Sequence, residues 1–160
     1  TKKGARSSIE ALLKRVSQGR EFNPINPLVD IYNSISIEYA VPLGGEDLDK
    51  IQGDLRLGKA KGGESFFPLG AEEDAPALEG EICHFDNEGA VCRCLNWREA
   101  KRTMLQEETT NAVLVMESVT KDQAERATVA MEALKKRCEE YFNVTGISYI
   151  VTPQNSEVEL

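Results

Sequence analysis

A carboxylate directly after an apolar run, an Asn-Trp-Arg triplet and a single histidine are the residues of this chain whose types and positions invite chemistry. Glu117 follows Ala112-Val113-Leu114-Val115-Met116, a continuous apolar run that marks a strand buried on both faces. A carboxylate at the end of such a strand is either paired or lying in a cleft, because burying it alone is too costly. Asn96-Trp97-Arg98 gathers an amide, an indole and a guanidinium, which together can hold a planar or anionic group by hydrogen bonds and stacking. The plainer alternative is that Trp97 plugs the core and Arg98 pairs with a carboxylate. His84, the only histidine, could serve as a general base, but a strand histidine beside a hairpin reads as structural. Cys83, Cys92 and Cys94 lie near it in sequence. Successive strand residues point to opposite faces, so Cys83 and His84 diverge and four converging zinc ligands are hard to assemble. Buried thiols are the expectation, and neither a metal nor another cofactor is implied.

Two further candidates lie at helix starts and turns. In Arg6-Ser7-Ser8-Ile9-Glu10, Ser7 and Glu10 form a capping box; free N–H groups at that helix start, with Ser8 and Arg6, could alternatively make an anion site. Asn26-Pro27 caps and starts a second helix. Leu28, Ile31, Ile35 and Tyr39 recur there at three- and four-residue spacing, leaving Asp30, Asn33 and Ser34 as polar groups off the apolar stripe. Pro42 ends this helix, and Gly44-Gly45 reads as a flexible turn before a short helical turn at Glu46-Asp47, together a plausible rim of a cleft.

The elements that must position these groups follow in order. Leu55-Leu57 and Phe66-Phe67 read as two extended runs joined through Lys61-Gly62-Gly63, and residues 70–80 as an exposed acidic loop. Residues 81–85 and 90–95 flank Asp86-Asn87-Glu88-Gly89, a hairpin signal that brings Cys83 near Cys92. Thr120 and Gln123 open a long helix with Ala127, Met131, Leu134, Cys138 and Tyr141 on one face, and Ile147 to Thr152 reads as a last strand. The expectation is a single mixed α+β domain over residues 1–160, with a sheet packed against helices.

Composition narrows the function classes. A formal charge of −8 argues against a broad phosphate-binding surface, so any RNA contact must be local. The candidate basic patches are Lys2, Lys3, Arg6, Lys14 and Arg15, then Arg93, Arg98, Lys101 and Arg102, then Lys135 to Arg137. No apolar run approaches the roughly 20 residues that cross a bilayer. Four cysteines without a secreted spacing, and no signal-peptide pattern, make the cytoplasm the default. A start at Thr1-Lys2-Lys3 without an initiator Met reads as a missing N-terminal segment.

The stretch Val29-Asp30-Ile31-Tyr32-Asn33, Pro42, Asp47-Leu48-Asp49-Lys50-Ile51 and Gly63-Glu64 resembles the B3/B4 domain of the β subunit of bacterial phenylalanyl-tRNA synthetase. With Arg6 to Leu12 before it and Asn96-Trp97-Arg98 and Glu117-Ser118 after it, the chain is similar to free-standing B3/B4 proteins. In the synthetase this domain edits: it binds the 3′ end of a tRNA carrying the wrong amino acid and hydrolyses the ester. The resemblance therefore implies a deacylase acting in trans on an aminoacylated tRNA 3′ end, with no membrane and no DNA involved. The alternative is a binding module without chemistry for a tRNA end, an amino acid or a protein. Tyr32 and Asn33 fall where the synthetase has a Thr-Asn pair lining its pocket, Asn96-Trp97 near a small Ala-Gly segment, and Glu117 at the Glu that recognises a tyrosine hydroxyl. The family's His in its Pro-x-His-Ala-Phe-Asp turn is replaced by Gly44. The implied roles are Asn33 and Asn96 orienting substrate or water, and Glu117 binding the amino group or side chain. Arg98 or Arg6 would meet the terminal phosphate, with Tyr32, Gly44, Gly45, Trp97 and Ser8 as further substrate contacts.

Overall fold

The computed structural model describes residues 7–160, so Lys2, Lys3 and Arg6 lie outside the described residues. Local capping chemistry starts each helix. Ser7 accepts from the Glu10 N–H and opens α1, Ser8–Ser17. Asn26 accepts from the Val29 N–H ahead of Pro27 in α2, Pro27–Tyr39. Thr120 accepts from the Gln123 N–H, and Gln123 accepts in return from the Val119 N–H, at the start of α3, Lys121–Phe142. Two orphan donors are thereby satisfied at once. The helix α2 stops where Ala40 turns left-handed, before Pro42 can reach a helical position.

Among the described residues, six strands form two antiparallel sheets. β1, Leu43–Asp47, pairs with β6, Ala112–Met116. The second sheet has the order β2-β3-β4-β5, with β2 Arg56–Lys59, β3 Ile82–Phe85, β4 Ala90–Arg93 and β5 Arg98–Glu99. The α2 and α3 helices cover one face of the two-stranded sheet, burying Ile35, Val41, Leu43, Ala130 and Leu134 with Leu114 and Met116 against them. A separate cluster of Ala60, Phe66, Ala77, Cys83, Ala90 and Ala100 packs around the four-stranded sheet. The expected mixed α+β architecture, helices against sheet, is the one observed.

Several local expectations are corrected. Gly44-Gly45 lies in β1 rather than in a turn, and neither residue has a positive φ. Their lack of a side chain serves close approach. A Cβ on Gly45 would fall 2.6 Å from Leu114 Cδ2 and 2.8 Å from Leu105 Cδ1. Lys61-Gly62-Gly63 does not join a hairpin, because β2 takes β3 as its partner and Phe66 is a core residue outside any strand. Glu64 accepts from the Lys61 and Gly62 N–H groups, which diverts the backbone before it can pair. β6 is an edge strand of half-buried residues, not a central strand covered on both faces. Tyr141 is exposed. Ile147 to Thr152 forms no strand, since only the Thr152–Asn155 bridge pairs there and β propensity without a ladder partner does not make a sheet.

The Asp86 turn ties the β3–β4 hairpin to the segments at Gln52 and Arg102. Its wholly buried carboxylate accepts from the N–H groups of Glu88, Gly89 and Gln52 and from both terminal nitrogens of Arg102, each at 2.8 Å for the guanidinium. Burial raises its pKa, but Arg102 and the three N–H groups outweigh that and hold it below the usual carboxylate range. Asp86→Ala is expected to lower the unfolding free energy in urea by about 3 kcal/mol at pH 7, because it strands a partly buried Arg102 and three N–H groups. A depressed carboxyl stabilises above its unfolded pKa of about 3.9 and loses that stabilisation as pH falls through the folded value, so the gap should close in acid. A gap below about 1 kcal/mol at pH 7 would contradict this role.

Candidate functional site

The site is built by strand alternation. Side chains at i and i+2 share a face, so Leu43, Gly45, Leu114 and Met116 face the helices, while Gly44, Glu46, Val113, Val115 and, just past the strand, Glu117 stand on the opposite face. Across from that face is the four-stranded sheet. Between the two lies a cleft of about 290 Å³, lined by Gly44, Gly45, Glu46, Val115 and Glu117 from one side and by Leu55, His84, Cys92, Asn96 and Glu99 from the other.

The second wall depends on an unusual turn. β4 ends at Arg93, after which Cys94 and Leu95 both take left-handed conformations, φ 55 and 65. For residues with a Cβ each such conformation costs about 1 kcal/mol or more. The reversal pairs Cys92 with Glu99 and Arg93 with Arg98 in β5, leaving Asn96 at the tip, buried and turned inward. Asn96 links three elements. Its Oδ1 accepts from the Ser8 N–H of α1 at 3.0 Å, and its Nδ2 donates to Glu117 Oε2 at 3.4 Å. The Leu95 carbonyl that this turn exposes lies 3.1 Å from His84 Nδ1. A carbonyl only accepts, so Nδ1 carries the proton and Nε2, 3.5 Å from Glu117 Oε1, is left as an acceptor in the neutral ring.

Electrostatics follow from burial. Glu117 is pushed up to about 7 by burial, partly offset by the Asn96 hydrogen bond. Burial lowers the His84 pKa, with the Leu95 contact opposing, so the ring is neutral at pH 7. Glu46 is driven far above the carboxylate range by burial and then by hydrogen bonding and charge repulsion from Glu99. The pair therefore holds a proton. Burial also raises the Cys92 thiol and the Tyr32 phenol, with Glu99 next in each case, and both stay neutral. Gly44 is what admits Glu99, since a Cβ there would lie 3.2 Å from Glu99 Oε1.

Of the residues singled out from sequence, the cleft brings together Gly44, Gly45, Asn96 and Glu117. Ser8 reaches it through Asn96, which occupies the N–H that would otherwise be free for an anion, while Ser7 occupies that of Glu10. Tyr32 packs behind the wall against Gly45. Asn33 is half-buried on α2 and does not line the cleft. Trp97 is half-buried outside it, and Arg98 stacks over Phe66 at 5.6 Å. Arg6 lies outside the described residues. Sequence reasoning set His84 aside as structural, placed Glu46 at the rim of a cleft but in a helical turn rather than in β1, and gave Glu99, Cys92 and Leu55 no part in a site. For His84 the signal was present, because the alternation that sends Cys83 into the core sends its neighbour to the opposite face. Glu99 enters the cleft through the β4–β5 turn and carried no local signal.

Comparison with known proteins bears on this arrangement. Residues 1–147 match the family model of the B3/4 domain. The phenylalanine–tRNA ligase beta subunit of Fusobacterium nucleatum is 35% identical over 79 residues, covering 49% of this chain and 10% of that protein. The corresponding subunit of Ruegeria pomeroyi is 39% identical over 67 residues, covering 42% of this chain and 8% of that protein. The chain thus spans about a tenth of the length of these relatives. The match over nearly all of the helices and strands, including both walls of the cleft, places the chain in the B3/4 domain family.

Proposed function

We propose that the chain edits aminoacyl-tRNA in trans, hydrolysing the ester between a misattached amino acid and the tRNA 3′ end. The observation that carries this reading is the Glu117–His84 pair, 3.5 Å apart in a cleft, with Asn96 against the same carboxylate. Membership of the B3/4 family and the likeness to phenylalanine–tRNA ligase beta subunits support the substrate class. A carboxyl group near neutrality with an acceptor imidazole beside it suits transfer of a proton from water. In this mechanism ionised Glu117 takes a proton from a water molecule as its oxygen attacks the ester carbonyl. The carbonyl–oxygen bond to the ribose then breaks, and the proton returns from Glu117 to the leaving 3′ oxygen. His84 Nε2 accepts from the protonated Glu117 in between, and the Asn96 amide holds the carboxyl in place. Asn33, Tyr32, Trp97 and Arg98 take no part in this chemistry, and Gly44 gives the Glu99 carboxyl room beside the cleft. The charge of −8 argues for a local rather than a broad contact with RNA. No helix among the described residues is long and apolar enough to cross a membrane.

Deacylation of a panel of mischarged tRNAs by the purified protein is the direct test. Glu117→Gln is expected to slow hydrolysis by about 100-fold or more, and the wild-type rate should rise with pH through about 7 as Glu117 ionises. An intact panel would favour a binding module without chemistry. The same residue predicts a stability effect of opposite sign. A carboxyl whose pKa is raised stabilises below its unfolded pKa and loses that as pH rises through the folded value, about 7. In urea, Glu117→Gln should therefore be more stable than wild type by about 2 to 3 kcal/mol at pH 8 and equal to it at pH 4. A variant less stable than wild type at pH 8 would show that ionised Glu117 is fully compensated.

A further inference from the structure

The turn at Cys94-Leu95 sets both neighbours of the Glu117 carboxyl, because it carries Asn96 and aims the Leu95 carbonyl at His84 Nδ1. Cys94 and Leu95 stand at φ 55 and 65, and residues with a Cβ keep such a conformation only where the surrounding contacts over-determine it. Three N–H groups of the turn go to backbone carbonyls: Leu95 to Ile82 at 2.9 Å, Asn96 to Cys94 at 2.9 Å and Trp97 to Arg93 at 3.3 Å. The N–H of Cys94 goes instead to a side chain, donating to Glu81 Oε1 at 2.9 Å. The same carboxylate receives Arg93 through Nε at 3.0 Å and a terminal nitrogen at 2.7 Å, and the Leu78 N–H at 3.1 Å. One acid thus grips the last residue of β4 and the first residue of the turn. Burial raises the Glu81 pKa, but Arg93 and the Leu78 and Cys94 N–H groups outweigh it and hold the carboxyl at about 2, so the grip is in place at neutral pH. Glu81 stands two residues before Cys83, on the side of the strand turned towards the core, and does not line the cleft.

We propose that Glu81 is a positioning residue for the cleft: by holding the Cys94 N–H and the Arg93 guanidinium together, it fixes the turn that keeps the His84 proton on Nδ1 and Asn96 against Glu117. Without that carboxylate the Cys94 N–H and Arg93 lose their shared acceptor, and Cys94 relaxes towards the negative φ that its Cβ favours. The Leu95 carbonyl then leaves the His84 ring. Nothing holds the imidazole proton on Nδ1 any longer, and it passes to Nε2, the nitrogen that faces Glu117. A ring protonated there donates to the ionised carboxylate instead of accepting from the protonated one, so Glu117 becomes a weaker base. The effect on hydrolysis rests on the editing mechanism proposed above, whereas the effect on His84 and Asn96 rests on the turn alone.

His84 is the only histidine, so the ring-nitrogen signals of histidine-labelled protein report its tautomer without overlap. In wild type at pH 7 the proton is expected on Nδ1. In Glu81→Ala, and in the milder Glu81→Gln, which strips the charge from the Arg93 partner, proton density should pass to Nε2. Adding Cys94→Gly to Glu81→Ala should return it to Nδ1, because glycine takes φ 55 freely; an ion pair that served stability alone would show neither change. A wild-type proton on Nε2, a folded Glu81 variant with its proton wholly on Nδ1, or a double variant that stays on Nε2 would each overturn the proposal. On a tRNA that the wild type deacylates, Glu81→Ala should lower kcat by about tenfold to 100-fold with KM unchanged, since Glu81 does not line the cleft. A panel of charged tRNAs left intact, together with the tautomer change, would keep the positioning role and remove the editing role. Hydrolysis through Glu117 with neither tautomer nor kcat moved by Glu81→Ala would do the reverse.

Discussion

The structure depends on the cost of placing carboxyl groups between two small sheets. An isolated carboxylate cannot be buried as an ion at a cost that a domain of this size tolerates, and here the cost is met in two contrasting ways. Asp86 and Glu81 stay ionised because each has a guanidinium and backbone N–H groups around it; Glu81 is held at about 2, burial being outweighed by Arg93 and by the Leu78 and Cys94 N–H groups. Among the described residues no guanidinium is bonded to Glu46 or Glu117, and they stay wholly or partly protonated. The first pair fastens loops to strands. The second gathers poised acids where a substrate could use them.

That contrast separates scaffold from site. Arg102 on Asp86 and Arg93 on Glu81 join segments distant in sequence and leave no orphan oxygen on either acid. In the cleft, by contrast, Glu46 and Glu99 keep oxygens without partners, and the left-handed Cys94-Leu95 turn holds Asn96 and the Leu95 carbonyl against Glu117 and His84. Strain and unmet polar capacity at the same place are what a site that must receive a ligand exhibits.

Much of the frame was legible because it is local. The Ser7, Asn26 and Thr120 caps and the Asp86 to Gly89 turn each act within four residues, and the structure has them where the residues imply. What failed was long-range. Gly44-Gly45 looks like a turn from composition, and only the arrival of Leu114, Leu105 and Glu99 from elsewhere shows that glycine is needed for proximity rather than for φ. The pairing of β1 with β6 spans more than half the path between Leu43 and the end of the chain, so no window of sequence contains it. Glu117 was readable as a cleft residue because its own strand announced it. Glu99 was not, because it enters the cleft through a turn whose two left-handed residues, Cys94 and Leu95, are types that seldom take that conformation.

The central claim, that this cleft keeps carboxyl groups protonated near neutral pH for use rather than pairing them away, can be read directly. Carboxyl carbon shifts of glutamate-labelled protein, followed from pH 3 to 9 with assignments from single Glu→Gln variants, report each group in turn. Glu117 is expected to titrate near 7 and Glu46 to hold its proton beyond the ordinary carboxylate range. Titration of both near 4.5, the value of a solvated glutamate, would contradict it.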